Sequence, residues 1–423
     1  MKKILLSAYA CIPNMGSEQG NGWNYATHLS TSGLEVHCLT LVDGKDRIDP
    51  ILADGFYPNL RVHYVRVPAW VDKFCWKGLI GMYFHYLYWQ WAAYQMARKL
   101  DQQHNFDLIH HATYGSLQLG SFLYKLGKPL IFGPAGGGQR APKALKRYFG
   151  SHWTREWMRD IVGKVLEYTN PAYFRMLKKA DLVIVTNNDT YDLVRRLRPT
   201  QPIERIWDVG MALNFLPREV TAHPPKATLE LLWTGRMLPR KALELTIQAL
   251  SKVDPKLSVR LTIVGGQGEM VEHIPGYVQT YGVENRVNWV GQVSYDQMKQ
   301  YYIDSDVLFF TSLRDSCPHQ LVEAMSYCMP ILTLDLHGQG ELVNGSNGIK
   351  VPVTNETEVV DALARGVEWM AAHPDERRQM GLAGYEIAKE LIWDQKIRRF
   401  VDELYPTLMQ PSASHSSVQV SAS

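Results

Sequence analysis

Cysteine is sparse and unpaired in this sequence. The five residues, Cys11, Cys38, Cys75, Cys317 and Cys328, form no C-x-x-C pair and have no His-rich neighbour. That spacing supplies neither a metal site nor a disulfide framework and suits a reducing cytoplasm. Charge of one sign is missing too. Lys and Arg number 45 against 42 Asp and Glu, a formal net charge of +3, which argues against nucleic acid as the main partner. No run of about 20 apolar residues is free of charge, so no transmembrane helix is expected. A G-x-G-x-x-G fingerprint is absent, which disfavours an NAD-dependent dehydrogenase.

What is present is globular. The chain is 46% hydrophobic and 21% charged, and its 423 residues exceed one ordinary core, so two domains of roughly 200 residues each are expected. Residues 1–11 superficially resemble a bacterial lipoprotein signal, but the apolar stretch is only about seven residues long. The first strand of a parallel sheet reads the same way and fits the rest of the chain better.

Strand and helix signals alternate. Strands are expected at 3–9, 35–41, 60–67, 108–111, 129–132 and 182–186, with a Gly/Asn loop at 14–22, a helix at 23–30 and an aromatic helix from 76 to 91. A polar, proline-bearing linker at 216–226 precedes a restart. Strands recur at 230–234, 258–264, 287–290, 307–311 and 331–334, with helices at 241–253, 295–303 and 318–328. The predicted organisation is an N-terminal domain (1–215), the linker, a second domain (227–390), a helix returning towards the first domain (391–410) and a Ser-rich disordered tail (411–423). Such alternation implies parallel sheets covered on both faces, and two doubly wound units hold a ligand in the cleft between them.

The chemistry-bearing residues cluster after two strands of the second half. The strand 230–234 runs into Gly235-Arg236, with Lys241 at a helix start. A departing diphosphate needs such cations, and the arginine can fork across two phosphate oxygens while the lysine acts as a point charge. Alone, the pair reads as two surface cations. The strand 307–311 leads to Asp315, and Ser316 and Pro318 signal a helix start. Leu321, Met325 and Cys328/Met329 form its buried stripe, which turns Glu323 away from it. A helix N-terminus favours an anion, and eight residues of rise span at most about 12 Å, roughly the reach from sugar ring to ribose.

Arg236 with Lys241, then Asp315 with Glu323, resemble the donor-site motifs of the retaining family-four glycosyltransferases of the GT-B fold (glycosyl transferases group 1). The stretches 180–186, 287–291, 306–312, 323–325 and Trp393-Asp394 agree with it. The resemblance implies an α/β, GT-B architecture: two Rossmann-like doubly wound domains facing across a deep cleft. It implies donor-diphosphate binding by Arg236 and Lys241, ribose binding by Glu323 and a sugar contact by Asp315, where the family usually has Glu. His319 and Gln320 stand where the family is usually apolar and are added as phosphate or sugar contacts. The loop after the first strand is expected to close over donor phosphate and acceptor, through Gly16 and Gly20 with Ser17 and Glu18 as polar contacts. Gly136 and Gly137 form a second backbone-approach loop. A histidine near the reacting centre is a family hallmark, and His110 or His111 can fill that place. His111 is favoured because adjacent strand residues point opposite ways.

The basic run of Arg140, Lys143, Lys146, Arg147, Arg155, Arg159 and Lys164, with Trp153 and Trp157 interleaved, reads as a solvated face or as a contact with an anionic membrane or lipid-diphosphate acceptor. Asp304-Ser305-Asp306 matches a D-x-D metal signature but lies between a helix and a strand, so no metal or other cofactor is expected. The expected function is transfer of a sugar from a nucleotide-sugar donor to a glycan or lipid-linked acceptor. The expected place is the cytoplasm, with peripheral contact at the inner face of the cell membrane. The rival readings are a nucleotide-sugar epimerase of the same architecture and a non-catalytic sugar or nucleotide binder.

Overall fold

Two parallel sheets with the same winding account for the repeated strand–helix pattern. The structure is a computed structural model that describes residues 1–409 apart from 76, 77, 218, 219, 221, 222 and 225. The expected tail at 411–423, Trp76 and part of the expected linker therefore lie outside the described residues. The first sheet comprises β1 (Lys3–Ala8), β2 (Glu35–Leu41), β3 (Leu60–Val65), β4 (Leu108–Thr113), β5 (Leu130–Ala135), β6 (Leu182–Val185) and β7 (Ile203–Arg205), in the order β3-β2-β1-β4-β5-β6-β7. The second comprises β8 (Leu229–Thr234), β9 (Val259–Val264), β10 (Val287–Gly291), β11 (Val307–Phe310), β12 (Ile331–Leu334) and β13 (Gly348–Val351), in the order β10-β9-β8-β11-β12-β13. In both, the winding reverses beside the first strand, which leaves a crevice at the carboxyl ends of β1/β4 and β8/β11. The short strands β7 and β13 sit at sheet edges, where a three- or four-residue run carries little periodic signal.

The Gly/Asn segment is not the loop expected from sequence. Its residues from Ser17 onward are the opening turns of a helix, Ser17–Thr31. The reason is local packing: a Cβ on Gly20 would collide with the Met15 carbonyl, and one on Gly22 with that of Ala10. These glycines seat the helix on the preceding loop.

Each domain also lends a piece to the other. Leu145, Tyr148 and Phe149, from the first half, are buried in the second domain's core beside Trp233 and Leu245. In return Trp393, Ile397, Phe400 and Tyr405 pack with Ile4, Leu6 and Tyr25 over the first sheet. Burial of each such side chain is worth about 1.5–3 kcal/mol, so these exchanged anchors tie the two domains together. No described helix is long and apolar enough to cross a membrane.

Candidate functional site

The second sheet's crevice carries most of the expected donor residues. β8 ends at Gly235, whose φ of +155° favours glycine, and a Cβ on Gly265 after β9 would strike the Gly235 carbonyl. The close approach of the two turns requires glycine at 265, while at 235 glycine serves the backbone conformation. Arg236 emerges there exposed; its carbonyl accepts the Leu238 N–H at 2.8 Å, and its guanidinium makes no hydrogen bond or ion pair among the described residues.

Lys241 closes a short turn before the helix Leu243–Lys252 and is only 5% exposed. Its Nζ lies 2.5 Å from Asp315 Oδ2. Arg240 Nη1 approaches Asp315 Oδ1 at 3.2 Å, and Ser312 Oγ donates to Oδ2 at 2.8 Å. Burial opposes the Asp315 charge, but Lys241 and Arg240 outweigh it and hold the carboxyl well below the usual carboxylate range. Burial pulls Lys241 down to about 8, against the opposing pull of Asp315. The acid expected on a sugar hydroxyl therefore sits on Lys241, the cation expected for the diphosphate.

The helix His319–Ser326 comes next, with Pro318 as its cap and no side chain closing its first N–H groups. Those groups are available to an anion. Burial, reinforced by the nearby Lys396, holds the His319 imidazole neutral down to about pH 4. The Gln320 amide lies 3.8 Å from where a Gly235 Cβ would be, so it borders the Arg236 turn. Glu323, one turn further, accepts from Tyr302 at 2.7 Å and is also bonded by Tyr295. Burial raises its carboxyl and the two phenols oppose that rise.

Across the crevice lies a cavity of about 250 Å³ lined by Glu18, Tyr83, Tyr114, Gly136, Gly137, Arg159, Asp208, Arg314 and Ser316 among others. Glu18 accepts the Tyr114 backbone N–H at 2.8 Å, and burial raises its carboxyl. Gly136 abuts Ser316 Oγ, and Gly137 packs on the Gln118 amide. Gly16 caps the helix Ser17–Thr31 from an exposed position, and the Ser17 side chain lies outside the described residues. Gly20 is spent on packing against Met15.

Ser316 joins the two halves of the site. Its Oγ is 2.6 Å from Thr186 Oγ1 and accepts from Asn187 Nδ2 and Gln139 Nε2, each at 3.2 Å. Arg314 adds a two-pronged ion pair to Glu156 at 2.8 and 3.1 Å. The donor loop is thereby clasped against the first domain.

Neither β4 histidine reaches this cavity. His110 and His111 do point opposite ways, but both are fully buried. His110 bonds Tyr405 Oη at 2.8 Å and the Gly133 carbonyl at 2.7 Å. His111 bonds Tyr86 Oη at 3.0 Å and stacks on Phe132. The structure thus corrects the expectation that one of the pair faces the cleft: the returning C-terminal helices cover one side of β4 and the aromatic helix Gly78–His104 covers the other.

The basic run is largely neutralised. Arg147 pairs with Glu244 and Glu356, Arg155 with Glu269, and Arg159 with Glu156 and Asp160. Asp306 is buried at the far end of β11, accepting the Glu230 N–H and facing Lys226.

Sequence reasoning missed Arg240, Tyr295 and Tyr302, and the group of Asp208 with Lys396. Asp208 is bound by Asn21 at 3.1 Å; burial lifts it to about 7, and burial lowers Lys396 to about 8. A second cation beside Lys241 was the available signal for Arg240. Nothing local joins Asn21, Asp208 and Lys396, which meet only through the domain exchange.

Two family models account for most of the chain: "Glycosyltransferase Family 4" matches residues 23–207 and "Glycosyl transferases group 1" matches residues 220–387. The phosphatidylinositol N-acetylglucosaminyltransferase GPI3 subunit of Saccharomyces cerevisiae is 22% identical over 212 residues, 49% of this chain and 45% of that protein. Matched segments cover between about a third and a half of the length of the curated relatives. Sucrose-phosphate synthase from Thermosynechococcus elongatus superposes with a TM-score of 0.67 at 19% identity, covering 96% of this chain and 100% of that one. Anabaena HepE, solved in complex with UDP, superposes at 0.60 and 16% identity, covering 95% and 100%. Two Rossmann-like domains in this arrangement are the GT-B fold, and the chain belongs to the group 1, family-four glycosyltransferases.

Proposed function

We propose that this chain is a metal-independent retaining glycosyltransferase. It moves a sugar from a nucleoside-diphosphate sugar to a glycan or lipid-linked acceptor, in assembly of polysaccharide, lipopolysaccharide or glycolipid at the inner face of the cell membrane. The observation that carries the reading is Lys241 beside Arg236 and the open N-terminus of the helix His319–Ser326, with Glu323 one turn on. The chain's own cations balance the charge that gathers on the diphosphate as the sugar–oxygen bond breaks. The acceptor hydroxyl attacks from the same face, and its proton passes to the departing phosphate oxygen. Glu323, primed by two phenols, takes the ribose hydroxyls. The 250 Å³ cavity next to Ser316 receives the acceptor. The UDP in the HepE complex and the phosphatidylinositol acceptor in the yeast relative's name support a nucleotide donor and a lipid-linked acceptor.

The test begins with thermal shift against UDP, GDP, ADP and CMP. Transfer is then measured over a nucleotide-sugar panel for wild type, Lys241→Ala and Glu323→Ala. Loss of one phosphate donor group is expected to cost about 3 kcal/mol, roughly a hundredfold in rate. Equal activity in all three proteins would sink the assignment. Donor consumption without an acceptor points instead to an epimerase, and stabilisation without turnover to a binder.

A further inference from the structure

The helix Trp153–Thr169 has two working faces. At about 100° per residue, Arg159, Asp160, Gly163, Leu166 and Glu167 share one side, and all five line the cavity. The opposite side carries Trp157, Met158, Ile161, Val165 and Tyr168, every one of them exposed, within an arc of about 100°. An apolar stripe of this kind on a helix that already buries its other side has no core left to join.

Charge around the stripe has one sign. The three carboxylates of the segment 153–179 all turn inward: Glu156 and Asp160 to Arg159, and Glu167 to Arg196. Lys164 borders the stripe, and Arg175, Lys178 and Lys179 stand on the next helix, Pro171–Lys179, beside the exposed Phe174. These four cations are exposed and form no ion pair among the described residues. On the cavity's other flank, Tyr83 lines the wall while its neighbour Phe84 faces outward.

We propose that the outer face of Trp153–Thr169, with the cations of Pro171–Lys179, docks on an anionic lipid bilayer and sets the acceptor cavity at headgroup level. Large apolar side chains edged by unpaired cations are the chemistry of an interfacial helix, and the inward turn of Glu156, Asp160 and Glu167 leaves no carboxylate of the segment 153–179 on that face to repel such a surface. The face shares Trp157 and Lys164 with the basic run expected from sequence, but not that run's arginines, which are mostly paired. The proposal rests on the transferase reading for the meaning of the cavity, but not for the docking itself.

Co-sedimentation with phosphatidylcholine vesicles, with and without phosphatidylglycerol, tests it. Wild type pellets with the anionic vesicles at least about tenfold better than with phosphatidylcholine alone, and less so at high salt. The triple variant Trp157→Ser/Ile161→Ser/Val165→Ser loses at least about tenfold in binding, and Lys178→Glu/Lys179→Glu weakens it too. Melting temperature and the UDP-induced thermal shift stay as in wild type. Wild type remaining in the supernatant, or the triple variant pelleting like wild type, overturns the proposal. So does a concentration-dependent dimer that the triple variant abolishes, because a second copy then covers the face. Lost vesicle binding with an intact UDP shift rejects only this inference. Intact vesicle binding without any nucleotide shift rejects the transferase reading instead.

Discussion

Lys241 Nζ sits 2.5 Å from Asp315 Oδ2, with the two side chains 6% and 17% exposed. A buried pair of this kind is weak evidence of stability as a unit but costly to break. Asp315→Ala is therefore expected to destabilise the protein by about 3–5 kcal/mol, because it strands the lysine's charge. Lys241→Met/Asp315→Ala removes both charges and recovers part of that loss. Chemical denaturation of the two single variants and the double variant measures the coupling. Strictly additive losses contradict the pairing.

The same burial makes donor binding pH-dependent. Lys241 is lowered from 10.5 to about 8, so it is an ammonium at neutral pH but gives up its proton well before a free lysine does. A diphosphate favours the ammonium, so binding takes up protons near that pH and affinity falls as pH rises through it. Calorimetry of UDP binding in buffers of different ionisation heat reads the proton uptake. Lys241→Arg is expected to flatten the profile, since guanidinium stays charged throughout. A wild-type affinity that holds steady well above pH 8 goes against Lys241 as the phosphate cation.

Ser316 touches Thr186, Asn187 and Gln139 across the cleft. Removing its hydroxyl leaves three partners without their shared bond while emptying little volume. Ser316→Ala should shift the population towards an open arrangement, lowering kcat about tenfold at a cost near 1 kcal/mol. Small-angle scattering reads the opening. Thr186→Val added to it is expected to give little further loss, because both changes act on one clasp.

Both sheets, and the gathering of Arg236, Lys241, Asp315 and Glu323 at the second sheet's crevice, could be read from the sequence, because both signals are local. Buried parallel strands such as 307–310 are continuous apolar runs, and Arg236 and Lys241 come directly after one of them. Only the shortest edge strands escaped. The Gly16–Gly22 segment misled because glycine marks either a turn or a close approach, and only the fold shows the Met15 and Ala10 carbonyls against the helix. The return of 391–410 over the first domain was among the expectations, but the passage of Tyr148 and Phe149 into the second core was illegible, since that cluster is assembled from residues far apart in the chain. The returning segment also decided the fate of His110.

His110 and His111 give the sharpest contrast between a catalytic and a packing role. His110 is held by Tyr405 and the Gly133 carbonyl, and His111 by Tyr86 and Phe132. Burial lowers them to about 4 and about 3. A base with a lowered folded value makes the unfolded state bind more protons, so its contribution to stability is present above 6.5 and lost as pH falls through about 4. His110→Phe should therefore lose about 1–3 kcal/mol at neutral pH through the stranded Gly133 carbonyl and Tyr405 hydroxyl. It should also show a shallower fall of stability in acid. Its turnover, measured below its melting temperature, should stay within about threefold of wild type, since surface-directed chemistry is untouched. His111→Leu should behave alike. A hundredfold loss of rate in either variant, with melting unchanged, would return that histidine to the reacting centre and require the first domain to rearrange around β4 when substrate binds.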